Sequence, residues 1–179
     1  MEKIIIVKDD DILPYLSKMM LLIERVLKDE NFTMSSFWKE NREGYYFVLC
    51  LLEGKLIGFI SYIEYTKFVY LMAIGVDNEY QGKGYAKRMM EEMNRRTEKE
   101  IWCKISKENE VSKRFFSSLG YEKMRCKDIP GELTSTRGLG YSPYRYERRI
   151  DLGKDFHFYK RMDIEIPIRF FDLGSLEEE

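Results

Sequence analysis

The chain has 179 residues, 44% of them apolar and 15% aromatic, with 30 basic side chains against 31 acidic ones. This is the size of one ordinary domain with a sizeable core, and a net charge of −1 excludes the strong basic field that draws proteins to nucleic acid or to an anionic membrane. Three cysteines without a CxxC pair and a single histidine, His157, speak against a zinc site and against a disulfide framework.

The N-terminus is apolar only over residues 4–7 before Lys8, Asp9, Asp10 and Asp11, too short a run for a signal peptide. The greasy stretch 45–65 is interrupted at Glu53, Gly54 and Lys55, which reads as a hairpin and not as a membrane span. A cytoplasmic protein without a membrane partner is expected.

Residues 4–7 read as a strand. Leu16, Met19, Met20, Ile23 and Leu27 recur at helical spacing with Pro14 in the first turn, and a shorter helical piece is expected at 35–40. Runs 46–52, 56–65 and 68–76 are β-rich and joined by short links, the pattern of an antiparallel meander. The period then changes. Ala86, Met89, Met90 and Met93 line one apolar helical face, with Lys87–Glu91, Arg88–Glu92, Glu91–Arg95 and Glu92–Arg96 as opposite-charge pairs on the solvated side.

Ile101, Cys103 and Ile105 alternate with Trp102, Lys104 and Ser106 as a strand. Val111, Phe115, Phe116 and Leu119 suit a short helix ended by Gly120, and 121–126 returns as a strand. This β-α-β-α-β rhythm requires a parallel pairing inside an otherwise antiparallel sheet. The expected whole is a single α/β domain over 1–179 with a mixed sheet.

Residues 128–154 form an insertion that carries Tyr141, Tyr144 and Tyr146 among Arg145, Arg148 and Arg149. Its five basic residues (Arg137, Arg145, Arg148, Arg149, Lys154) face four acidic ones (Asp128, Glu132, Glu147, Asp151), too slight an excess for stacking on nucleic-acid bases. A loop of this length reads as a substrate lid, a dimer contact or a solvated loop. Residues 156–168 alternate as a long strand with Pro167 at its far end, an edge that offers pairing between two subunits of a homodimer. Residues 173–179 are an acidic tail, expected to be mobile.

The most informative stretch runs from Leu71 through Ile74, Gly75 and Val76 to Gln81-Gly82-Lys83-Gly84-Tyr85-Ala86. A strand passes through a glycine-containing turn into a helix, and the unpaired N–H groups and dipole of a helix start favour phosphate. Gly82 and Gly84 let backbone approach a ligand without a Cβ, and Lys83 adds a charge. The spacing of a P-loop, GxxxxGK[ST], is absent. A dinucleotide fingerprint, GxGxxG, lacks its third glycine because Lys87 stands there, and the preceding meander departs from the βαβ start of such folds. A glycine turn without a ligand is the plain alternative.

Gln81-x-x-Gly84-x-Ala86 resembles the acyl-CoA pyrophosphate loop of the GNAT N-acyltransferase superfamily, Gln or Arg, x, x, Gly, x, Gly or Ala. Downstream, Asn109-x-x-Ser112-x-x-Phe115-Phe116-x-x-Leu119-Gly120-Tyr121 resembles the second motif of that family, Asn-x-x-Ala-x-x-Phe-Tyr-x-x-x-Gly-Phe. The likeness covers about residues 1–127 and resumes near 156–162. It implies acetyl-CoA or another acyl-CoA as co-substrate, no metal, and acyl transfer to a primary amine of a small molecule or protein. It further implies that the backbone of Ile74, Gly75 and Val76 pairs with the pantetheine arm in a splay against strand 101–106. Amides across Gln81, Gly82, Lys83, Gly84, Tyr85 and Ala86 would hold the pyrophosphate. Asn109 would bond the pantetheine arm and Phe115 or Phe116 would pack near it. By residue type alone, Asn109 is equally a helix N-cap and the two phenylalanines equally a core face.

The chain also departs from this family. The usual proton donor to the leaving thiolate is a tyrosine, and Phe116 occupies its position. A thiol of pKa about 8.5 leaves as thiolate at pH 7 at a cost of only roughly 2 kcal/mol, so the exchange implies a slower enzyme and not a dead one. The acidic residue that many members place just before the position of Ile74 is replaced by Tyr70, Leu71 and Met72. Glu64 and Tyr70 are the candidates for the base, with His157 on the last strand as a weaker one. Cys103 would act as a nucleophile only beside an activating neighbour. Two functional readings stand at this point, an acetyltransferase and a non-catalytic acyl-CoA-binding sensor or scaffold, with a nicotinamide-binding protein as a distant third.

Overall fold

Strand β1 (Glu2–Lys8) leads through a 3-10 turn (Asp9–Tyr15) into helix α1 (Leu16–Val26). The meander follows as β2 (Tyr45–Leu52), β3 (Lys55–Glu64) and β4 (Phe68–Val76). Then come α2 (Tyr85–Arg95), β5 (Glu100–Ser106), α3 (Glu110–Ser118), β6 (Tyr121–Lys123), a one-turn helix α4 (Gly131–Thr134) and β7 (Phe156–Arg161). The computed structural model of the chain describes residues 1–27, 45–134 and 156–162. The helix expected at 35–40, most of the 128–154 insertion, the far end of the last strand with Pro167 and the acidic tail lie outside the described residues.

The described strands form one mixed sheet in the order β1-β2-β3-β4-β5-β7-β6, so the expected α/β class and meander are both present. β4 and β5 make the parallel pair that the helical crossover demands, and their neighbours are antiparallel. β7 returns between β5 and β6, which leaves β6 as a three-residue edge strand in place of the longer one expected at 121–126. Pro14 also lies earlier than expected, inside the 3-10 turn and not in the first turn of α1.

Both faces of the sheet are covered. Met89, Met90 and Met93 of α2 and Phe116 of α3 pack on one face with Val48, Ile60, Val69, Leu71, Cys103 and Ile105. On the other, Met19, Leu22 and Ile23 of α1 meet Phe47, Leu49 and Phe59. Beside them Leu133 of α4 closes a cluster of Phe68, Tyr70, Trp102 and Phe158. The start of the 128–154 insertion is thus part of the core. Val111, expected on the apolar face of its helix, is instead 72% exposed, because the face of α3 that meets the sheet is set by Phe116 and the partly buried Phe115.

Two irregularities position the site. The β3–β4 register passes from Ser61↔Ala73 to Tyr62↔Leu71, so Met72 is an extra residue, a β-bulge that bends and twists β4. The β4–β5 pairing runs from Phe68↔Glu100 to Leu71↔Cys103 and stops there. Beyond it β5 follows β7, pairing Lys104 with Phe158 and Ser106 with Phe156. The two strands come apart toward their C-terminal ends.

Gly75 sits in that opened part of β4, pressed from the α1 side. A Cβ there would lie 2.7 Å from the Phe59 ring and 2.9 Å from Val26 Cγ1. Overpacking of this kind costs about 1–3 kcal/mol, so Gly75→Ala is expected to lower Tm by roughly 2–12 °C. Gly58→Ala should shift it less, since its closest obstacle is the flexible end of Met89 at 2.9 Å; thermal melts of the two variants side by side check the contrast.

Candidate functional site

The turn that follows β4 is built by its own residues. The Asp77 N–H donates to Ile57 O at 2.8 Å, and the Asp77 carboxylate accepts from the Glu79 N–H at 3.4 Å, starting a 3-10 turn over Asn78–Tyr80. The Gln81 amide donates to Val76 O at 3.0 Å and to Asn78 Oδ1 at 2.9 Å. Its side chain therefore ties the loop to the strand end. Lys83 bends back in the same way, donating to Glu79 O at 3.0 Å above the Tyr80 ring.

Gly82 and Gly84 have φ of +73° and +81°, a left-handed conformation that charges any other L-residue about 1–2 kcal/mol. Gly84 is the N-cap of α2, and no side chain caps that helix start. The first bond along the helix is donated by the Arg88 N–H to Gly84 O at 3.1 Å. The amides of Tyr85, Ala86 and Lys87 ahead of it have no acceptor along the helix, and they lie behind the exposed stretch 81–84. The start of α3 is built the opposite way. There Asn109 Oδ1 accepts from the Ser112 N–H at 2.9 Å, so Asn109 is the N-cap that its residue type suggested.

Two charged residues hold this loop in place through partners distant in sequence. Arg88, assigned from spacing to an i,i+4 pair with Glu92, instead forks onto the Glu2 carboxylate of β1 at 2.8 and 3.1 Å. It also donates to Lys83 O at 3.2 Å and covers the Tyr85 ring at 4.4 Å. Glu92 pairs with Arg95 and Arg96. Asp77, only 4% exposed, meets Arg25 Nη1 of α1 at 3.1 Å. An Asp before a turn is a local signal that could have marked the Asp77 cap, whereas both ion pairs join segments far apart in the chain and leave no local trace.

Ile74, Gly75 and Val76 lie past the last β4–β5 pair, paired on one edge with Ile60, Phe59 and Gly58 of β3. Phe116 is buried at 3% exposure and Phe115 half-buried beside it. The two candidates for a base sit differently. Glu64 ends β3 opposite Val69 and is held by Lys99 Nζ at 2.6 Å, at the paired end of β4–β5 and away from the loop. Tyr70 is opposite Trp102, one pair short of where the strands separate. His157 is half-buried on β7 opposite Ile105. Burial pushes the Cys103 thiol far above its ordinary range, so it stays a neutral thiol and not a nucleophile. Among the described residues no group of three or more His, Cys, Asp or Glu is placed to hold a metal ion, and no helix is long and apolar enough to cross a membrane.

The sequence profile described as "Acetyltransferase (GNAT) family" matches residues 14–121, a span that holds the separating strands, the two left-handed glycines and the uncapped helix start. The chain belongs to the GNAT acetyltransferase family. Solved GNAT structures share its fold at low identity. The ribosomal-protein-S18-alanine N-acetyltransferase of Escherichia coli superposes with a TM-score of 0.63 at 19% identity, over 93% of this chain and 98% of that one. PaiA N-acetyltransferase of Thermoplasma acidophilum, in complex with coenzyme A, gives 0.63 at 16% over 90% and 99%. Arabidopsis thaliana Naa50, with the bisubstrate analogue CoA-Ac-MVNAL, gives 0.58 at 17% over 90% and 99%. No curated protein matches the chain by sequence.

Because the loop conformation rests on positive φ, the GNAT loop of this chain should discriminate among replacements at Gly84. Gly84→Ala is expected to lower Tm by roughly 2–8 °C, with added crowding against Arg88 Nη1 at 3.1 Å. Gly84→Asn should lose less, since asparagine tolerates this region; melts of both variants test it.

Proposed function

We propose that this GNAT protein is an N-acetyltransferase that moves an acetyl group from acetyl-CoA to a primary amine of a small molecule or protein. The observation that carries the reading is the uncapped start of α2, presented by Gly82 and Gly84 at the end of the sheet where β4 and β5 part. Backbone N–H groups and the helix dipole suit a pyrophosphate there, within reach of a strand edge that suits a pantetheine amide. The amides from Gln81 to Ala86 take the pyrophosphate, while the Gln81 and Lys83 side chains brace the loop that presents them. Ile74, Gly75 and Val76 offer the strand edge. With its carbonyl oxygen engaged in the cap, Asn109 offers its NH2 group to the pantetheine arm, and Phe115 and Phe116 flank it.

Acyl transfer asks for a neutral amine, donors for the oxyanion and a tolerated thiolate. A backbone N–H at Gly75 or Val76 serves the oxyanion without any side chain. A substrate amine of pKa near 10.4 must lose a proton first. For that role the placement favours Tyr70, beside the point where the strands separate, over Glu64, which is engaged by Lys99 at the other end. Phe116 supports a second reading, an acyl-CoA-binding sensor without turnover, because the buried ring at the donor position has no proton to give.

Calorimetric titration with acetyl-CoA, with NADH as the control, tests both readings. Acetyl-CoA is expected to bind and NADH to give no heat. At about 100 times the dissociation constant, acetyl-CoA should contribute about 2.7 kcal/mol and raise Tm by roughly 5–11 °C. Absence of heat and of a shift overturns the cofactor site. Thiol release across a panel of primary amines then separates the enzyme from the sensor.

A further inference from the structure

The two ends of the described sheet are built differently. β6 closes one end with three residues, too short a strand to template another. β7, where the sequence suggests an edge for pairing two subunits, lies instead between β5 and β6 and pairs with both. β1 closes the other end with seven residues, each paired to β2 in unbroken register. Among the described residues nothing bonds to the backbone of β1 from its outer side.

The sequence of β1 does little to blunt that edge. It has neither proline nor bulge, and Ile4, Ile5, Ile6 and Val7 form an unbroken β-branched run with charge only at its ends, in Glu2, Lys3 and Lys8. The run is shared between the two faces of the sheet. Ile4 and Ile6 pack on the α2–α3 cluster and Ile5 and Val7 on the α1 cluster, all four only partly buried. A strand laid beside β1 covers both sets at once and satisfies the open row of N–H and C=O groups.

We propose that this edge pairs with β1 of a second copy of the chain, giving a two-fold antiparallel dimer with one continuous sheet. Residues directly opposite each other share a face, and a two-fold axis through the sheet keeps each face continuous, so opposite residue numbers sum to an even value. A sum of ten pairs all seven residues, with Ile5 on the axis, Ile4 opposite Ile6 and Glu2 opposite Lys8. A sum of eight sets Lys3 against Ile5, and a sum of twelve sets Lys8 against Ile4. Charge selects the first register. Glu2 meets Arg88 of α2 and Lys8 stands over Tyr46, which packs on the α2–α3 cluster, so the two charges lie on the same face. At each end of the seam the Glu2 carboxylate then lies between Arg88 of its own chain, 2.8 Å away, and Lys8 of the second copy. The Lys8 side chain is 53% exposed, with Asp9 at 3.6 Å. This inference does not rest on the acetyltransferase reading, since association is measured without cofactor or amine.

Sedimentation equilibrium of the full chain tests it by mass. The wild type is expected to pass from the mass of one chain to that of two in the micromolar range that suits a small interface. Lys8→Glu sets like charges opposite each other at both ends of the seam and should raise the dissociation constant about 5- to 50-fold. Glu2→Lys should act alike. An equimolar mixture of the two variants regains an opposite-charge pair at each end, so it should associate about as tightly as the wild type where neither variant does alone. The axis supplies a second readout. Opposite Cα atoms of an antiparallel pair are about 4.5–5.5 Å apart, within disulfide reach, so Ile5→Cys should cross-link to its own copy under mild oxidation. Val7→Cys, on the same face, should not, because the two copies of that position stand about 13 Å apart along the seam. The wild type controls for the native cysteines.

A one-chain mass at every concentration up to the millimolar range overturns the proposal and leaves the acetyltransferase reading standing. A dimer as tight in Lys8→Glu and Glu2→Lys as in the wild type also overturns it, since the contact then lies on another face. Cross-linking of Val7→Cys, or none of Ile5→Cys, overturns the register and the proposal with it.

Discussion

The pairing of β4 with β5 ends after four residues, and most of what this molecule can do depends on that ending. A central strand buried on both faces would ordinarily satisfy its backbone groups on both edges, because an unpaired N–H or C=O away from water is costly. Here Met72 is an extra residue against β3, and the added bend and twist turn β4 away from its parallel neighbour just past Leu71 and Cys103. β5 meanwhile is held to β7 as far as Ser106. One strand bends and the other is anchored, so the gap between them is fixed by the fold. The strand edge left beside the gap is a ready partner for an extended amide-bearing chain.

The loop at the end of β4 is rigid for reasons of the same kind. Its two positive-φ glycines set the path, but side chains hold it there. Gln81 binds the strand end, Lys83 the 3-10 turn, and Arg88 spans the Lys83 carbonyl and the Glu2 carboxylate of β1. On the other side of the sheet Arg25 reaches buried Asp77 from α1. The exposed contacts among these add little stability singly. Their effect is geometric, since they fasten the loop to β1 and to α1, elements that the chain places far from it. The helix start they present is left uncapped, while the neighbouring helix is closed by Asn109. Of these two helix N-termini, only the one at the mouth of the gap is left without a side-chain cap.

Much of this was legible in the sequence, and for identifiable reasons. The run 68–76 could be read as a strand because its β-branched and aromatic residues are bounded by turn signals, and the glycines at 82 and 84 because only glycine suits their backbone. The family likeness followed from the spacing of Gln81, Gly84 and Ala86, from the order of the elements around it and from the Asn109 motif. The bulge at Met72 left no local signal, since a one-residue shift is decided by how Ser61 and Tyr62 pair across the strand. The insertion of β7 between β5 and β6 was hidden for the same reason, as was the exchange of Glu92 for Glu2 as the partner of Arg88. Periodicity reports what a residue's own helix offers it. It is silent on a carboxylate brought up from 86 positions away.

The two halves of the candidate site therefore depend on sequence in different ways. The half that would hold the nucleotide uses backbone amides, a helix dipole and a strand edge, and asks of the side chains only that they shape and brace it. The half that would carry out chemistry needs particular side-chain atoms at particular places, and there this chain differs most from its family pattern. Phe116 lacks the hydroxyl, Glu64 is engaged elsewhere by Lys99, and no acidic residue stands at 70–72. A backbone-built binding half would survive such exchanges intact, so departures in the chemical half would alter the fate of a bound thioester without loosening its grip.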